Sequence, residues 1–288
     1  MVEQKDYIAF DYLAVQPTAF SPFHGGGKYG KIILQELLSR TDRVVLFYSD
    51  RLPHDDLENI KKKYPNVVLS NLDDPDSWNS VFSTYPVNKI YLPIPYSRLY
   101  KKYCQKSKKG LKIIGTIHGL RNLEAFPTRD VFYYKVSTKA FLRTCLDYTL
   151  KKIPGYVKFK KREWKKLIER SDYEYFVVSN HTKKTIQSFL PNQNPRVFYS
   201  PSVVSKSAIP CQKEKYFLLV SGNRWEKNNL KVIRLLDKLY TSGKIPSDFR
   251  VKITGVTSLK CYNVKIVNAD KFDCVGYVNE TDFPMLYA

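Results

Sequence analysis

Three short stretches combine residue types that bind charged or hydroxyl-bearing ligands. The first is His24-Gly25-Gly26-Gly27-Lys28-Tyr29. Glycines lack a Cβ, so the backbone can approach a ligand closely, and a helix start beyond them adds free N–H groups and a positive dipole end. A phosphate or a sugar hydroxyl suits such a segment, although a plain strand-to-helix turn would use the same residues. The spacing is neither the G-x-G-x-x-G dinucleotide fingerprint nor a Walker A loop, which needs Gly-Lys-Ser/Thr. The second stretch is Thr116-Ile117-His118-Gly119-Leu120. A histidine at the carboxyl end of a parallel strand faces the crevice where such folds bind ligands. The third is Ser221-Gly222-Asn223-Arg224-Trp225-Glu226-Lys227-Asn228-Asn229. Two cations, Arg224 and Lys227, beside a helix amino terminus make a diphosphate site, through Coulomb attraction from the side chains and hydrogen bonds from the backbone. Gly222 and Asn228 belong to the same loop.

The net charge of +21 points to a further partner. Residues 96–170 hold 21 Lys or Arg against 5 Asp or Glu, so this stretch carries most of the excess. A concentrated positive face predicts an anionic partner, whether membrane lipid, nucleic acid or an acidic substrate. Within it, Lys158, Lys160, Lys161, Arg162, Trp164, Lys165 and Lys166 mix cations with an aromatic. We expect these seven to form a membrane or acceptor face docking on anionic lipid. Tyr156, Phe159 and Trp164 keep a nucleic-acid surface open as an alternative. No nucleic-acid module is legible, so nucleic acid is not the expected partner.

Other chemistries find little support. Cys104, Cys145, Cys211, Cys261 and Cys274 are widely spaced, and the four histidines do not cluster with them, so free thiols are expected and no metal site. Asp74-Pro75-Asp76 matches a D-x-D metal signature, but Asp before Pro also reads as a helix N-cap followed by Pro at the first helical position. No apolar run approaches the roughly 18 residues that span a bilayer, and the charged start lacks a signal-peptide core. The expected location is cytoplasmic, peripheral at the inner face of the membrane.

The elements that would position these residues alternate. Ile8–Val15, Val44–Tyr48, Val67–Leu69, Lys89–Pro93, Lys112–Ile117, Tyr173–Val178 and Arg196–Tyr199 read as strands. Helices are expected at Lys28–Leu38, His54–Tyr64, Ser77–Phe82 and Ser97–Lys106. Apolar strands so regularly separated by helices imply a parallel sheet covered on both faces. Between Arg121 and Arg170 the spacing turns helical, through Phe141, Leu142, Cys145, Leu146, Thr149, Leu150 and Ile153. A second unit follows, with strands at Tyr216–Val220, Val251–Thr254, Val264–Val267 and Cys274–Val278. Its helices are Asn228–Tyr240 and one starting at Glu280. The reading is an α/β protein of two Rossmann-like domains with parallel sheets, the second incomplete. Residues 1–203 form the first, with a basic helical insertion at about 120–172, and residues 213–288 form part of the second.

These segments, in this order, resemble the retaining GT-B glycosyltransferases of family 4. Gly25–Tyr29 resembles the family's G-G-x-G-x-Y segment. Thr116–Leu120 resembles its T-x-H-D-L strand end, with Gly119 in place of Asp. Val177-Val178-Ser179 resembles its V-S strand end, and Val220–Asn229 its G-R-x-x-x-E-K-N donor loop. Val275–Ala288 resembles its segment ending L-Y-A. Arg224 stands closer to Lys227 than the family's arginine stands to its lysine.

The resemblance implies transfer of a glycosyl group from a nucleotide diphosphate sugar to a glycan or lipid-linked acceptor in cell-surface polysaccharide synthesis. It implies retention of configuration, no cofactor, no essential metal, and a donor bound between the domains. Lys227 and Arg224 would hold the diphosphate, with Gly222 and Asn228 in the donor loop. Gly25, Gly26 and Gly27 would approach donor or acceptor through backbone, and His118 would be the catalytic residue facing the sugar. The family's acidic E-x7-E pair follows L-Y-A, beyond Ala288, so the 288-residue chain is expected to be a fragment inactive alone. A GT-B nucleotide-sugar epimerase stands as the enzyme alternative.

Overall fold

In a computed structural model, the structure describes residues 6–17, 25–54, 56–104, 110–126, 128–135, 137–201, 214–279 and 282–287. The chain folds as two compact units. One is Met1–Glu124 with Lys161–Val203; the other is Ala125–Lys160 with Val204–Ala288.

The first unit is built on seven strands: β1 (Tyr7–Asp11), β2 (Val44–Tyr48), β3 (Val68–Asn71), β4 (Val87–Leu92), β5 (Lys112–Ile117), β6 (Tyr173–Val177) and β7 (Arg196–Val197). Their order is β3-β2-β1-β4-β5-β6-β7, and every neighbouring pair is parallel. Val44, Val45, Leu46 and Phe47 are all fully buried, which is why β2 reads as an unbroken apolar run rather than an alternating one. The order reverses between β1 and β4, and this switch opens a crevice at their carboxyl ends.

Helices α1 (Gly25–Arg40), α2 (Asp56–Lys63), α3 (Ser77–Thr84), α4 (Arg98–Lys102) and α5 (Arg121–Glu124) alternate with the strands. α2 opens on Asp56 and Glu58 and closes on Lys61, Lys62 and Lys63, each sign at the end of the helix dipole that favours it. Two longer helices, α6 (Thr138–Lys152) and α7 (Pro154–Ile168), replace a strand where helical spacing is expected, and α8 (Asn180–Gln187) follows β6.

The second unit has three parallel strands, β8 (Tyr216–Leu219), β9 (Arg250–Thr254) and β10 (Phe272–Gly276), in the order β10-β9-β8. Helix α9 (Asn229–Thr241) packs Leu230, Ile233 and Leu236 against Val251 and Ile253. This repeats the arrangement of β3, β2 and β1, and both sheets are Rossmann-like.

Several sequence expectations need correction. Val264–Val267 is not a strand. The N–H groups of Val267 and Asn268 go to the Asp237 carboxylate, at 3.1 and 2.8 Å, so no strand ladder forms. Phe283–Leu286 is a short 3-10 turn rather than the first turn of an α-helix. The first strand ends at Asp11, whose side chain caps a 3-10 turn over Tyr12–Ala14. Pro75 lies outside α3, whose N-cap is Asp76; Asp74 Oδ1 instead accepts the Asp76 N–H at 3.0 Å. Trp164 is not on a surface face. It is buried, with Tyr96 edge-on at 4.4 Å between ring centroids.

Within the stretch read as a basic helical insertion at about 120–172, the chain passes between the two units twice. Residues 125–160 fold with the second unit. Tyr134 joins that unit's core, Lys135 N–H donates to Cys261 O at 2.7 Å, and Arg234 donates to Asp130 at 3.2 Å. Cys104, Cys145, Cys261 and Cys274 are free thiols, while Cys211 lies outside the described residues. Among the described residues there is no metal-binding cluster of His, Cys, Asp or Glu, and no helix long and apolar enough to cross a membrane.

Candidate functional site

Each unit places candidate residues at the carboxyl ends of its parallel strands. In the first unit, Gly25, Gly26 and Gly27 are the opening turn of α1 itself, not a loop before it. His24 lies outside the described residues. A methyl group added at Gly25 would meet none of the described residues within 4 Å, whereas one at Gly30 would strike Val15 at 2.6 Å and Pro93 at 3.0 Å. Gly30 therefore lets α1 sit close against Pro93, the residue after β4.

His118 follows β5, half-buried. Its Nε2 lies 2.9 Å from Pro93 O. A carbonyl only accepts, so Nε2 carries the proton and a neutral ring holds its lone pair on Nδ1. Tyr29 meets the imidazole edge-on, with centroids 4.6 Å apart. Tyr29 lies one turn beyond Gly25, so the structure brings His118 and the glycine turn to the same end of the sheet.

Sequence reasoning missed two features here. Tyr29 and Tyr91 converge on the buried Thr116 hydroxyl at 3.2 and 2.6 Å. Burial, together with Tyr29, pushes the Tyr91 phenol well above its usual pKa, so the cluster is a neutral hydroxyl network. The second is Glu124, whose Oε2 would lie 2.9 Å from a Cβ at Gly119. A carboxylate therefore fills the space beside the residue that lacks one. The residues concerned are 25 to 87 positions apart or belong to unlike elements, and no local spacing signals them.

In the second unit the Ser221–Asn229 segment leaves β8 and enters α9. Both of its ends are anchored. Ser221 N–H donates to Thr254 Oγ1 at 3.0 Å, and Gly222 N–H to Thr254 O at 2.7 Å. Tyr262 donates to Gly222 O at 2.7 Å, and the buried Asn229 amide to Val220 O at 2.9 Å. Ser221 and Asn228 both hold φ of 58°, a left-handed conformation that is uncommon outside glycine and easiest for Asn. Residues in such conformations persist only where surrounding structure fixes them, and they concentrate at ligand-binding segments.

Arg224 and Lys227 project from this fixed backbone. Arg224 is half-exposed, with Glu226 at 3.9 Å. Lys227 is exposed and has no ion pair among the described residues. Gly222 has a packing reason to be glycine, since an added Cβ would lie 2.6 Å from both Ile253 and Tyr262. Asn228 is the left-handed hinge between the Trp225–Lys227 turn and α9. One N–H at the start of α9 is already taken: Leu230 donates to the Tyr134 hydroxyl at 3.0 Å. The buried Lys151 of α6 lies 5.8 Å from the centre of the Trp225 ring. The insertion thus buttresses the cationic loop, a link across 96 residues that nothing in the sequence announces.

No family model matches the chain, and no curated protein is significantly similar to it.

Proposed function

We propose that the protein binds a nucleotide diphosphate sugar through Ser221–Asn229 and transfers its glycosyl group to a glycan or lipid-linked acceptor, as a GT-B glycosyltransferase. The observation that carries this reading is the anchored loop with two outward cations. Arg224 and Lys227 stand between the carboxyl end of a parallel strand and a helix start, where anionic ligands bind in such folds. The order of motifs along the sequence supports the same reading.

In this account Lys227 and Arg224 hold the two phosphates. As the bond between sugar and diphosphate breaks, negative charge grows on the departing nucleotide. Cations on a backbone already fixed by Thr254, Tyr262 and Asn229 stabilise that charge without reorganising. His118, oriented by Pro93 and Tyr29, and the glycine turn of α1 are the first unit's groups for sugar or acceptor hydroxyls.

A thermal-shift panel of nucleotide diphosphate sugars tests the reading. At least one should raise the unfolding midpoint with increasing dose, by an amount equivalent to about 2.7 kcal/mol at a hundred times its dissociation constant. A panel in which no nucleotide diphosphate or its sugar shifts the midpoint would remove the basis for the assignment.

A further inference from the structure

Helix α6 presents two different sides. On one, Lys151 is buried beside Trp225, and Tyr148 meets Phe132 edge-on at 4.8 Å. At about 3.6 residues per turn, Lys139, Leu142, Arg143, Leu146 and Thr149 fall on the other. All five are exposed. Leu142 is 61% exposed and Leu146, one turn on, 58%. Ile153 at the bend into α7 and Phe159 within α7 are exposed as well. Clustered aliphatic side chains left in water mark an interaction surface.

The surrounding charge identifies the partner. Residues 138–168 hold ten Lys or Arg and two acidic residues. Lys139 and Arg143 flank the two leucines on one face of α6. Lys158, in the part of α7 that belongs to the same unit, is exposed beside Phe159. Leucines bordered by cations suit a helix lying at a bilayer surface, with its apolar side chains among the acyl chains and its cations at lipid phosphates.

We propose that the exposed face of α6, led by Leu142 and Leu146, inserts into the surface of an anionic bilayer. Lys139, Arg143 and Lys158, all of the same unit, supply the attraction. A nucleic acid would meet the same charge, but leucine has no π face on which bases stack. The proposal does not rest on sugar transfer, since a docking helix serves any reaction at a membrane.

Sedimentation with phosphatidylcholine vesicles, with and without phosphatidylglycerol, tests it. The protein should bind the anionic vesicles and not the neutral ones. Leu142→Ser with Leu146→Ser should weaken that binding by about tenfold or more without moving the melting curve. Lys139→Glu with Arg143→Glu should weaken it similarly. Leu146→Trp should shift its emission to the blue on mixing with anionic vesicles. Binding that survives the paired serine changes, with no shift from the tryptophan, would reduce the interaction to general charge adsorption and overturn the proposal. So would single-stranded RNA that displaces the vesicles and binds the serine variant as tightly as the parent protein.

Discussion

The Asp11→Asn variant should be more stable than the parent protein at pH 8, and should not share its decline in stability between pH 3.8 and about 7. Asp11 ends β1 fully buried. Its Oδ1 accepts the Ala14 N–H at 3.1 Å, while Oδ2 meets no hydrogen-bond partner of good geometry among the described residues. Burial raises its pKa from 3.8 to about 7, with Ser97 and the Ala14 N–H pulling the other way. The folded protein therefore holds a proton that the unfolded chain has already released. The sign follows: the stability this proton confers is complete below 3.8, falls as pH rises, and is lost above about 7. The whole drop amounts to about 4 kcal/mol. Asparagine cannot ionise, and its carbonyl still serves Ala14. Urea midpoints of both proteins at pH 5 and pH 8 measure the effect. Equal losses in parent and variant would show that Asp11 is not its source.

Gly222→Ala should lower the stability of the second unit by about 2–3 kcal/mol. The new methyl would lie 2.6 Å from Ile253 Cγ2, 2.6 Å from the Tyr262 hydroxyl and 3.1 Å from Thr254 O. Ile253 is fully buried and Tyr262 nearly so, and both belong to the core beneath the loop, so neither can step aside. Displacing Tyr262 would also break its bond to Gly222 O. Gly25→Ala is the contrasting case, because none of the described residues stands within 4 Å of the new methyl. Its midpoint should move by no more than about 0.5 kcal/mol equivalent. Denaturation of the two variants side by side separates a glycine required by packing from one free to serve a ligand. A Gly222→Ala protein as stable as its parent would contradict the packing argument.

The strands were the legible part of this fold, because their signal is local. β2 and β5 match their expected bounds, Val44–Tyr48 and Lys112–Ile117, and in β2 burial on both faces of a parallel sheet forces a continuous apolar run. Val264–Val267 carries the same local signal and misleads. Val264 and Ile266 do pack on the second core, but their backbone is claimed by a loop that closes on Asp237. Helical spacing located α6, yet spacing alone does not say which face is covered. Leu142 and Leu146 lie outside and Trp164 inside, against the usual reading of aromatics among lysines. The glycines, His118, Arg224 and Lys227 were visible as residue types at strand ends. Their supports were not: Tyr134 under α9, the Tyr29–Tyr91–Thr116 hydroxyls and Lys151 beside Trp225 are contacts between residues far apart in sequence.

Calorimetric titration of a nucleoside diphosphate into the protein and its Lys227→Ala variant probes the diphosphate site itself. Lys227 is exposed and unpaired among the described residues, so alanine there leaves the fold undisturbed. Losing a charge-assisted hydrogen bond to phosphate costs about 1.5–3 kcal/mol, roughly tenfold or more in affinity. The expected result is binding by the parent protein, at least about tenfold weaker binding by the variant, and the same unfolding midpoint for both. Equal affinity in the two proteins would contradict it.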